Sequence, residues 1–171
     1  MNVPKYLIPH LRTDHAGETG AVYIYKGILF ASKNYDIIKF AKKHLKTEQS
    51  HLDKINNVLP DSQKSSLLII WKIFGFLTGF VPALFGTNFI YATIYYVESF
   101  VEIHYKNQIF LLSNNKSNRE IKKLLCSLNH DEVNHKNEAL SKFDQSNPLI
   151  RLWGKIVMFG SKVAVYISYK I

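Results

Sequence analysis

The spacing of apolar and polar residues along this chain predicts helices and almost no strand. Strictly alternating segments are scarce, and the long segments are interrupted at Gly, Pro, Asn and Ser, the residues that end helices or form turns. The first helix is predicted to begin after Thr13 or Asp14, since either is a suitable N-cap. The predicted helices cover about 14–33, 35–58, 66–80, 88–112, 117–143 and 149–168. Breaks are expected at Pro60, Pro82, Gly86, 113–115 and Pro148.

Four of these segments are long, whereas the third is short and very apolar and the last is basic and apolar. This set predicts an all-α protein, a four-helix bundle with two accessory apolar helices. The chain has 171 residues, 47% of them hydrophobic, which excludes a disordered protein. That length is typical of one domain with a substantial core, so a single domain is expected over 1–171.

Glutamate and histidine recur in the same order in both halves of the chain. A lone glutamate on one helix is followed by Glu-x-x-His on the next helix. The two copies are Glu18, Glu48 and His51, and then Glu98, Glu132 and His135. The lone glutamates are 80 residues apart and the Glu-x-x-His units 84, so we interpret the pattern as a duplicated helical hairpin. Residues at i and i+3 share a helix face, so each Glu-x-x-His pair points in one direction.

This combination is the ligand set of ferritin-like bundles that bind two metal ions. Four carboxylates balance the charge of two Fe²⁺ ions, whereas four buried glutamates without metal would repel one another. A single Glu-x-x-His usually lies on a solvated helix face, but four of the chain's seven glutamates fall in the duplicated pattern. We therefore predict two iron ions per chain. The one cysteine, Cys126, cannot form an internal disulfide and is expected to be an ordinary core or surface residue.

Residues near the predicted ligands are candidates for supporting roles. Gly17 and Gly20 flank Glu18, and glycine in a helix costs about 1 kcal/mol relative to alanine, so the backbone there needs space for the site or for close helix packing. Tyr25 and Tyr105 each lie seven residues after a lone glutamate, on the same face. They are candidates for contacts behind the ligands or for an electron path, and ordinary core tyrosines are the alternative.

Tyr105 and its neighbour His104 are the candidate catalytic residues. His104, Glu102 and Asp131 are candidates for orienting the ligand imidazoles from behind. Three further histidines are expected to be ordinary surface residues, namely His10, His44 and His130.

The net charge of +9 favours an anionic partner, either nucleic acid or a membrane surface. No recognition-helix pattern or zinc-finger spacing is present, so nucleic-acid binding is not expected. Residues 73–97 carry no charge, and these 25 residues exceed the ~20 that span a bilayer. The segment contains Pro82 and runs directly into Glu98, which must lie in the bundle. We therefore interpret about 66–89 as an interfacial element that dips into one leaflet.

Aromatic and basic residues near the C-terminus are expected to add membrane anchoring: Trp153, Lys155, Lys162, Tyr166 and Lys170. The alternative for the apolar surface is a homodimer interface. Residues 1–10 show no signal-peptide core, so a peripheral protein on the cytoplasmic face of a bacterial inner membrane is expected.

Four segments, 11–21, 48–52, 97–109 and 131–135, resemble the demethoxyubiquinone hydroxylase family of ubiquinone biosynthesis. The His-Ala-Gly-Glu stretch at 15–18 and the His-Tyr-x-Asn-Gln-Ile stretch at 104–109 are the most specific parts. The similarity extends from about Leu11 to the C-terminus, and Thr19 departs from it where the family has an aromatic residue.

The resemblance implies a ferritin-like di-iron monooxygenase that uses O₂ to hydroxylate the ring of a demethoxylated polyprenyl quinone or quinol. It implies the six ligands given above, with Glu48 or Glu132 bridging the metals, and NADH as the external reductant. Association with other ubiquinone-biosynthesis proteins is also implied. The alternatives are a ferritin-like iron-oxidising or iron-storage protein and a non-catalytic membrane-binding bundle.

Overall fold

A computed structural model of the chain describes residues 3–112 and 118–171. Within these residues the chain forms six α-helices and no strand, which confirms the all-α bundle. The helices are α1 (Ile8–Ala31), α2 (Tyr35–Asn56), α3 (Leu68–Leu84), α4 (Thr87–Leu111), α5 (Arg119–Leu140) and α6 (Pro148–Lys170). Short 3₁₀ turns, Lys5–Leu7 and Asp61–Gln63, precede α1 and α3. The break predicted at 113–115 and the helix start predicted at 117 lie outside the described residues.

Helix α1 begins well before the predicted caps, so the expectation for Thr13 and Asp14 was wrong. Both residues lie inside the helix. Pro9 occupies the first turn, where backbone N–H groups have no intrahelical acceptor, so the N–H that proline lacks is not needed there. Leu7 and Leu11 are fully buried on either side of that turn. Burial of these apolar side chains therefore determines where the helix begins, and the polar residues that resemble caps serve the interior instead.

Asparagine and glycine determine the other helix ends. Asn34 caps α2 by accepting from the backbone N–H of Ile37, and Asn147 caps α6 in the same way. Pro82 does not end α3 as predicted; it lies in the last helical turn. The helix ends before Gly86, whose φ of 104° is in the left-handed region that favours glycine. The chain then turns directly into α4.

Two apolar clusters lie on either side of the level at which the predicted ligands occur. One contains Tyr25 and Ile28 of α1, Ile37 and Phe40 of α2, Ile90 and Ile94 of α4, and Ala139 of α5. The other contains Leu11 of α1, Ile55 of α2, Tyr105 of α4, and Leu125 and Leu128 of α5. Each of these four helices therefore presents a polar position between two buried apolar stretches. This arrangement keeps water away from both ends of the polar layer.

Glycines bring α3 against α1 with almost no side chain between the two backbones. A Cβ atom on Gly79 would lie 1.9 Å from the carbonyl oxygen of Ile24, and one on Gly75 would lie 2.3 Å from that of Gly20. Gly20 lies at this contact, although a Cβ atom on Gly20 itself would come no closer than 4.0 Å to another residue, at the carbonyl oxygen of Trp71. Around Gly17 a Cβ atom would meet no heavy atom within 4 Å. The close approach of the two helices therefore depends on Gly75 and Gly79 of α3.

Replacing Gly79 with alanine is expected to lower the free energy of unfolding by about 1–3 kcal/mol, because the methyl group would overlap a backbone carbonyl. Thermal denaturation followed by circular dichroism measures the change. The matched control is Gly160→Ala on α6, where a Cβ atom meets nothing within 4 Å. That substitution should maintain or raise stability, since alanine favours helix. Equal melting temperatures for the two variants would contradict the proposed close contact.

The accessory helices α3 and α6 expose many large apolar side chains. On α3 these include Ile69, Ile73, Phe74 and Leu84, and on α6 they include Leu149, Leu152, Ile156, Phe159 and Tyr166. Among the described residues, no helix combines the length and the apolarity needed to cross a bilayer.

Candidate metal centre

All six predicted ligands meet at one level of the bundle, and all are buried. They come from four helices: Glu18 from α1, Glu48 and His51 from α2, Glu98 from α4, and Glu132 and His135 from α5. His51 Nδ1 lies 2.8 Å from Glu132 and 3.6 Å from Glu18. His135 Nδ1 lies 2.9 Å from Glu48 and 3.1 Å from Glu132. The Nδ1 atom of each imidazole therefore faces the carboxylates.

The ligand atoms form two overlapping groups, and within each group they lie within 4.8 Å of one another. One group is Glu18, Glu48, His51 and Glu132, and the other is Glu48, Glu98, Glu132 and His135. Glu48 and Glu132 belong to both groups. If each group held one metal ion, these two carboxylates would be ligands common to both ions.

The residues present fit two divalent metal ions. Glu18 Oε2, Glu48 Oε1 and Glu132 Oε2 are buried and have no hydrogen-bond partner of good geometry, although an imidazole Nδ1 atom lies 3.6, 2.9 and 3.1 Å from them respectively. A buried carboxylate oxygen without a partner is costly, and a metal ion satisfies it directly. Carboxylate and imidazole donors without thiolate suit iron or manganese, and four carboxylates neutralise two such ions.

Burial and mutual repulsion shift the pKa values of the clustered carboxyl groups. Burial, together with the charges of Glu132 and Glu48, holds the pKa of Glu98 well above its ordinary value. Burial and the charge of Glu132 raise the pKa of Glu48 to about 8. Glu132 is the exception, because hydrogen bonds from the two imidazoles outweigh burial and lower its pKa to about 2. Without metal, the cluster therefore holds protons that cations would replace.

Asp131 lies where the sequence predicted, behind a ligand imidazole. Its Oδ2 is 3.1 Å from Nε2 of His51, the ring nitrogen that faces away from the carboxylates. A carboxylate at that nitrogen fixes the tautomer and orientation of a metal-binding imidazole. The same expectation for Glu102 was wrong, since its carboxylate pairs with Lys106 and Lys136 at the protein surface.

His104 and Tyr105 belong to a polar network beside the cluster. Tyr105 donates a hydrogen bond to Glu18, so it contacts the lone glutamate of the other hairpin. The prediction that His104 orients a ligand imidazole was wrong. Its Nε2 lies 2.8 Å from the hydroxyl of Thr13 and 3.1 Å from Oδ1 of Asp14. Burial and the charge of Glu18 hold the pKa of Tyr105 well above its ordinary value, so it remains a donor.

Helix α1 supplies Asp14, which the sequence analysis considered only as a helix cap. Asp14 is buried and accepts a hydrogen bond of 2.6 Å from Nε2 of Gln108. Asp14 lies four residues before Glu18, so both side chains lie on one helix face. This spacing is the sequence signal that could have assigned Asp14 to the site.

His44 is buried, so its expected position at the surface was wrong. Its side chain is 1% exposed, and its ring lies edge-on to that of His135, with 4.2 Å between centroids. Its position four residues before Glu48 is the sequence signal for this placement. His130 is exposed as expected, whereas His10 is half-buried beside Tyr169. Cys126 is exposed.

A largely apolar cavity of about 600 Å³ connects the cluster with the accessory helices. Four of the buried glutamates line it at one end, Glu18, Glu48, Glu98 and Glu132. The rest of its wall is mainly apolar and includes Gly17 and Ala21 of α1, Trp71 and Phe74 of α3, and Trp153, Ile156 and Phe159 of α6. His104 also lines it. Phe74, Ile156 and Phe159 are among the exposed apolar residues of α3 and α6, so the cavity adjoins that surface.

A helical bundle with a buried cluster of four glutamates and two histidines, opening into an apolar cavity, defines the class of di-metal carboxylate bundle proteins. Within that class, the family described as "Ubiquinone biosynthesis protein COQ7" matches residues 5–168. The chain belongs to this family.

Relatives with curated names are similar over almost the whole chain. A Dictyostelium discoideum protein named NADPH-dependent 3-demethoxyubiquinone 3-hydroxylase, mitochondrial, is 27% identical over 164 residues, which cover 94% of this chain and 76% of the relative. The Homo sapiens protein of the same name is 28% identical, with the same coverage. A Rhodospirillum rubrum protein named 3-demethoxyubiquinol 3-hydroxylase is 26% identical, again over 94% of this chain and 76% of the relative.

Proposed function

We propose that this protein is a di-iron monooxygenase that uses O₂ to hydroxylate the ring of a demethoxylated polyprenyl quinone or quinol in ubiquinone biosynthesis. The observation that carries the proposal is the cavity of about 600 Å³, which joins a buried carboxylate–histidine cluster to an apolar surface. A substrate with a reactive ring at one end and a long hydrocarbon tail fits such a cavity. Membership of the COQ7 family and the hydroxylase names of its relatives support the same reaction.

In this proposal the two irons are held by Glu18, Glu48, His51, Glu98, Glu132 and His135. When bound, they would supply the activation of O₂ that an organic side chain cannot provide. The chain's own residues orient the ligands and exclude water. Tyr105 fixes Glu18 by a hydrogen bond, and Asp131 fixes His51.

His104 and Tyr105 are the proposed catalytic residues from the protein side. His104 lies in the cavity wall with Asp14 behind its Nε2 at 3.1 Å, which holds the imidazole in one orientation. From that wall it can exchange a hydrogen bond or a proton with an oxygen of the quinone ring. Tyr105 also lines the cavity and holds its hydroxyl proton at Glu18.

Both tryptophans of the chain contribute apolar faces to the substrate cavity. The indole N–H of Trp71 donates to Ser65 at 3.1 Å, and that of Trp153 donates to Thr93 at 2.7 Å. Because each N–H already has a partner in the protein, the rings offer only carbon surface to a ligand. Quinones absorb near-ultraviolet light, so a quinone bound between these rings should quench their fluorescence.

We further propose that residues 66–89 and helix α6 place the protein on a membrane surface, peripheral to the cytoplasmic face of a bacterial inner membrane. The exposed apolar side chains of both helices and the charge of +9 support this placement. A polyprenyl substrate would then enter the cavity directly from the lipid. A homodimer interface on the same surface is the competing proposal.

The external reductant is proposed to be a reduced nicotinamide nucleotide. The resemblance implied NADH, whereas the mitochondrial relatives carry NADPH in their names. Steady-state oxidation of each nucleotide by purified, iron-loaded protein with a short-tailed quinone distinguishes the two.

Quinone profiling tests the reaction itself. A strain that lacks its own demethoxyubiquinone hydroxylase accumulates the demethoxylated precursor, and expression of this chain is expected to convert that precursor to ubiquinone. Extracted quinones separated by chromatography and identified by mass give the ratio of the two. Unchanged precursor in cells that contain folded, iron-loaded protein would contradict the proposed function.

Gly17→Phe tests the cavity without touching a ligand. A Cβ atom at this position meets no heavy atom within 4 Å, and Gly17 lines the cavity, so a phenylalanine ring there is expected to occupy substrate space without backbone strain. The expected result is at least a tenfold weaker quenching constant for a short-tailed quinone, with unchanged metal content. Gly17→Ala is the matched control and should bind the quinone like the parent protein. Equal quenching by both variants would place the quinone elsewhere.

A further inference from the structure

The two imidazoles of the cluster have different partners behind them. His51 has the carboxylate of Asp131 at 3.1 Å from its outer nitrogen, and Asp131 is the residue just before Glu132. The residue at the same place in the first hairpin is Thr47, which has no carboxylate. The duplicated pattern therefore gives His135 no acidic partner equivalent to the one that His51 has.

His44 is the side chain whose ring packs edge-on against His135. Its ring is perpendicular to the ring of His135, at an angle of 85° with 4.2 Å between centroids. Its Nε2 is 3.1 Å from Oε2 of Glu138, on the helix that carries His135. The position equivalent to His44 in the second hairpin is Leu128, which is apolar and fully buried. The side chain that contacts a ligand imidazole of the other hairpin thus comes four residues before Glu48 in one hairpin, through a ring contact, and one residue before Glu132 in the other, through a hydrogen bond.

Tyr25, Phe40 and Glu138 contact the His44 ring, whose Nδ1 is buried without a hydrogen-bond partner. Tyr25 stacks on it, with 5.8 Å between centroids and an angle of 19°, and Phe40 lies at 4.3 Å. Glu138, which anchors Nε2, is itself paired with Lys43 at 2.6 Å. Two aromatic contacts and the bond at Nε2 restrict the rotation of this buried ring, and so it presents a fixed edge to His135.

We propose that His44, anchored by Glu138, is a positioning residue for His135 and supports one metal position selectively. That position is the one formed by Glu48, Glu98, Glu132 and His135. The inference rests on the proposed metal centre. Contact with a fixed ring holds the plane of His135 so that its Nδ1 faces Glu48 and Glu132, at 2.9 and 3.1 Å. Loss of a hydrogen-bonded outer partner typically weakens a metal site about 10- to 100-fold, and the ring contact of His44 is expected to act at the lower end of that range.

Metal titration of the His44→Leu variant tests this selectivity. Leucine is chosen because Leu128 fills the equivalent position of the second hairpin. Metal-free protein is titrated with Co²⁺, whose visible absorption reports its coordination, and the binding isotherm gives both affinities. The expected result is one ion bound as in the parent protein and one bound at least tenfold more weakly. A general loss of folding would instead weaken both steps.

The Asp131→Asn variant is the matched control for the other metal position. It should also weaken one step, and the double variant His44→Leu/Asp131→Asn should weaken both, because the two substitutions act on different ions. If His44→Leu does not fold, Glu138→Ala replaces it, since that residue is partly exposed and should weaken the same step as His44→Leu.

Two parent-like affinities in a folded His44→Leu or Glu138→Ala protein would overturn the inference and leave the metal centre intact. A double variant that weakens a single step would also overturn it, since both residues would then act on one ion. A parent protein that binds fewer than two ions would contradict the metal centre itself, and the inference with it.

Discussion

Replacing Glu132 with alanine is expected to abolish binding of both metal ions and, with it, the conversion of quinone precursor in cells. Glu132 belongs to both groups of ligand atoms, so its loss opens both positions at once. It also lies 2.8 Å from Nδ1 of His51 and 3.1 Å from Nδ1 of His135. Without this carboxylate the cluster loses its bridge and one of its four negative charges.

Elemental analysis of purified protein measures the metal content directly, with about two ions per chain expected for the parent protein. Added Fe²⁺ should raise the melting temperature of the parent protein, because an ion that binds only the folded state stabilises it. It should leave the melting temperature of Glu132→Ala unchanged. Glu132→Gln retains the side-chain volume and should fail in the same way, which separates the loss of charge from the loss of packing.

Glu120→Ala is the matched control on the same helix. Glu120 is exposed at the first turn of α5, so its removal should change neither metal content nor quinone conversion. Glu98→Ala should give an intermediate result, since Glu98 belongs to one group only and its loss should remove one ion. Two ions retained by folded Glu132→Ala protein would contradict the proposed centre.

The predicted ligand set is the part of the site that followed most directly from the sequence. Glu-x-x-His places both side chains on one helix face, and the duplicated order assigned them to four helices. The structure brings all six side chains together, from Glu18 in the middle of α1 to His135 in the second half of α5. A helix face depends on local periodicity alone, and so the spacing of residues is sufficient to predict it.

Contacts between helices were not predictable in the same way. Glu102 and Asp131 both lie within four residues of a predicted ligand, yet only Asp131 contacts an imidazole, whereas Glu102 pairs with lysines at the surface. Which of them faces inward depends on how each helix is rotated in the bundle. His44 was misplaced for the same reason, since its burial depends on Tyr25 and Glu138, which lie on other helices.

The start of α1 and the role of its glycines show a second limit of sequence patterns. Thr13 has the chemistry of a helix cap, but the burial of Leu7 and Leu11 extends the helix past it. Gly17 and Gly20 have the same flanking position in the sequence. Both border the cavity, but only Gly20 also lies against the backbone of α3 at Gly75, and the sequence pattern does not show that contact.

Ile73→Asp is expected to weaken binding to anionic vesicles at least tenfold. Ile73 is 54% exposed on α3, outside the cavity wall, so the change leaves the substrate site untouched. Burying an isoleucine side chain in the membrane contributes about 1.5–3 kcal/mol to the free energy of binding. A loss of ~1.4 kcal/mol lowers the affinity tenfold. An aspartate at this position loses that contribution and adds repulsion from anionic lipid.

Co-sedimentation with vesicles of phosphatidylethanolamine and phosphatidylglycerol measures the binding, and Ile103→Asp is the matched control. Ile103 is 55% exposed, but it lies on α4, so the same chemical change there should leave vesicle binding intact. Added salt should weaken binding of the parent protein in part, since the +9 charge contributes a screened attraction while apolar contact does not. If Ile73→Asp instead converts a dimer to a monomer and leaves vesicle binding unchanged, the apolar surface of α3 is an interface between two copies of the chain. In that case the polyprenyl substrate must reach the cavity from the side of α6, whose exposed Ile156 and Phe159 also line it.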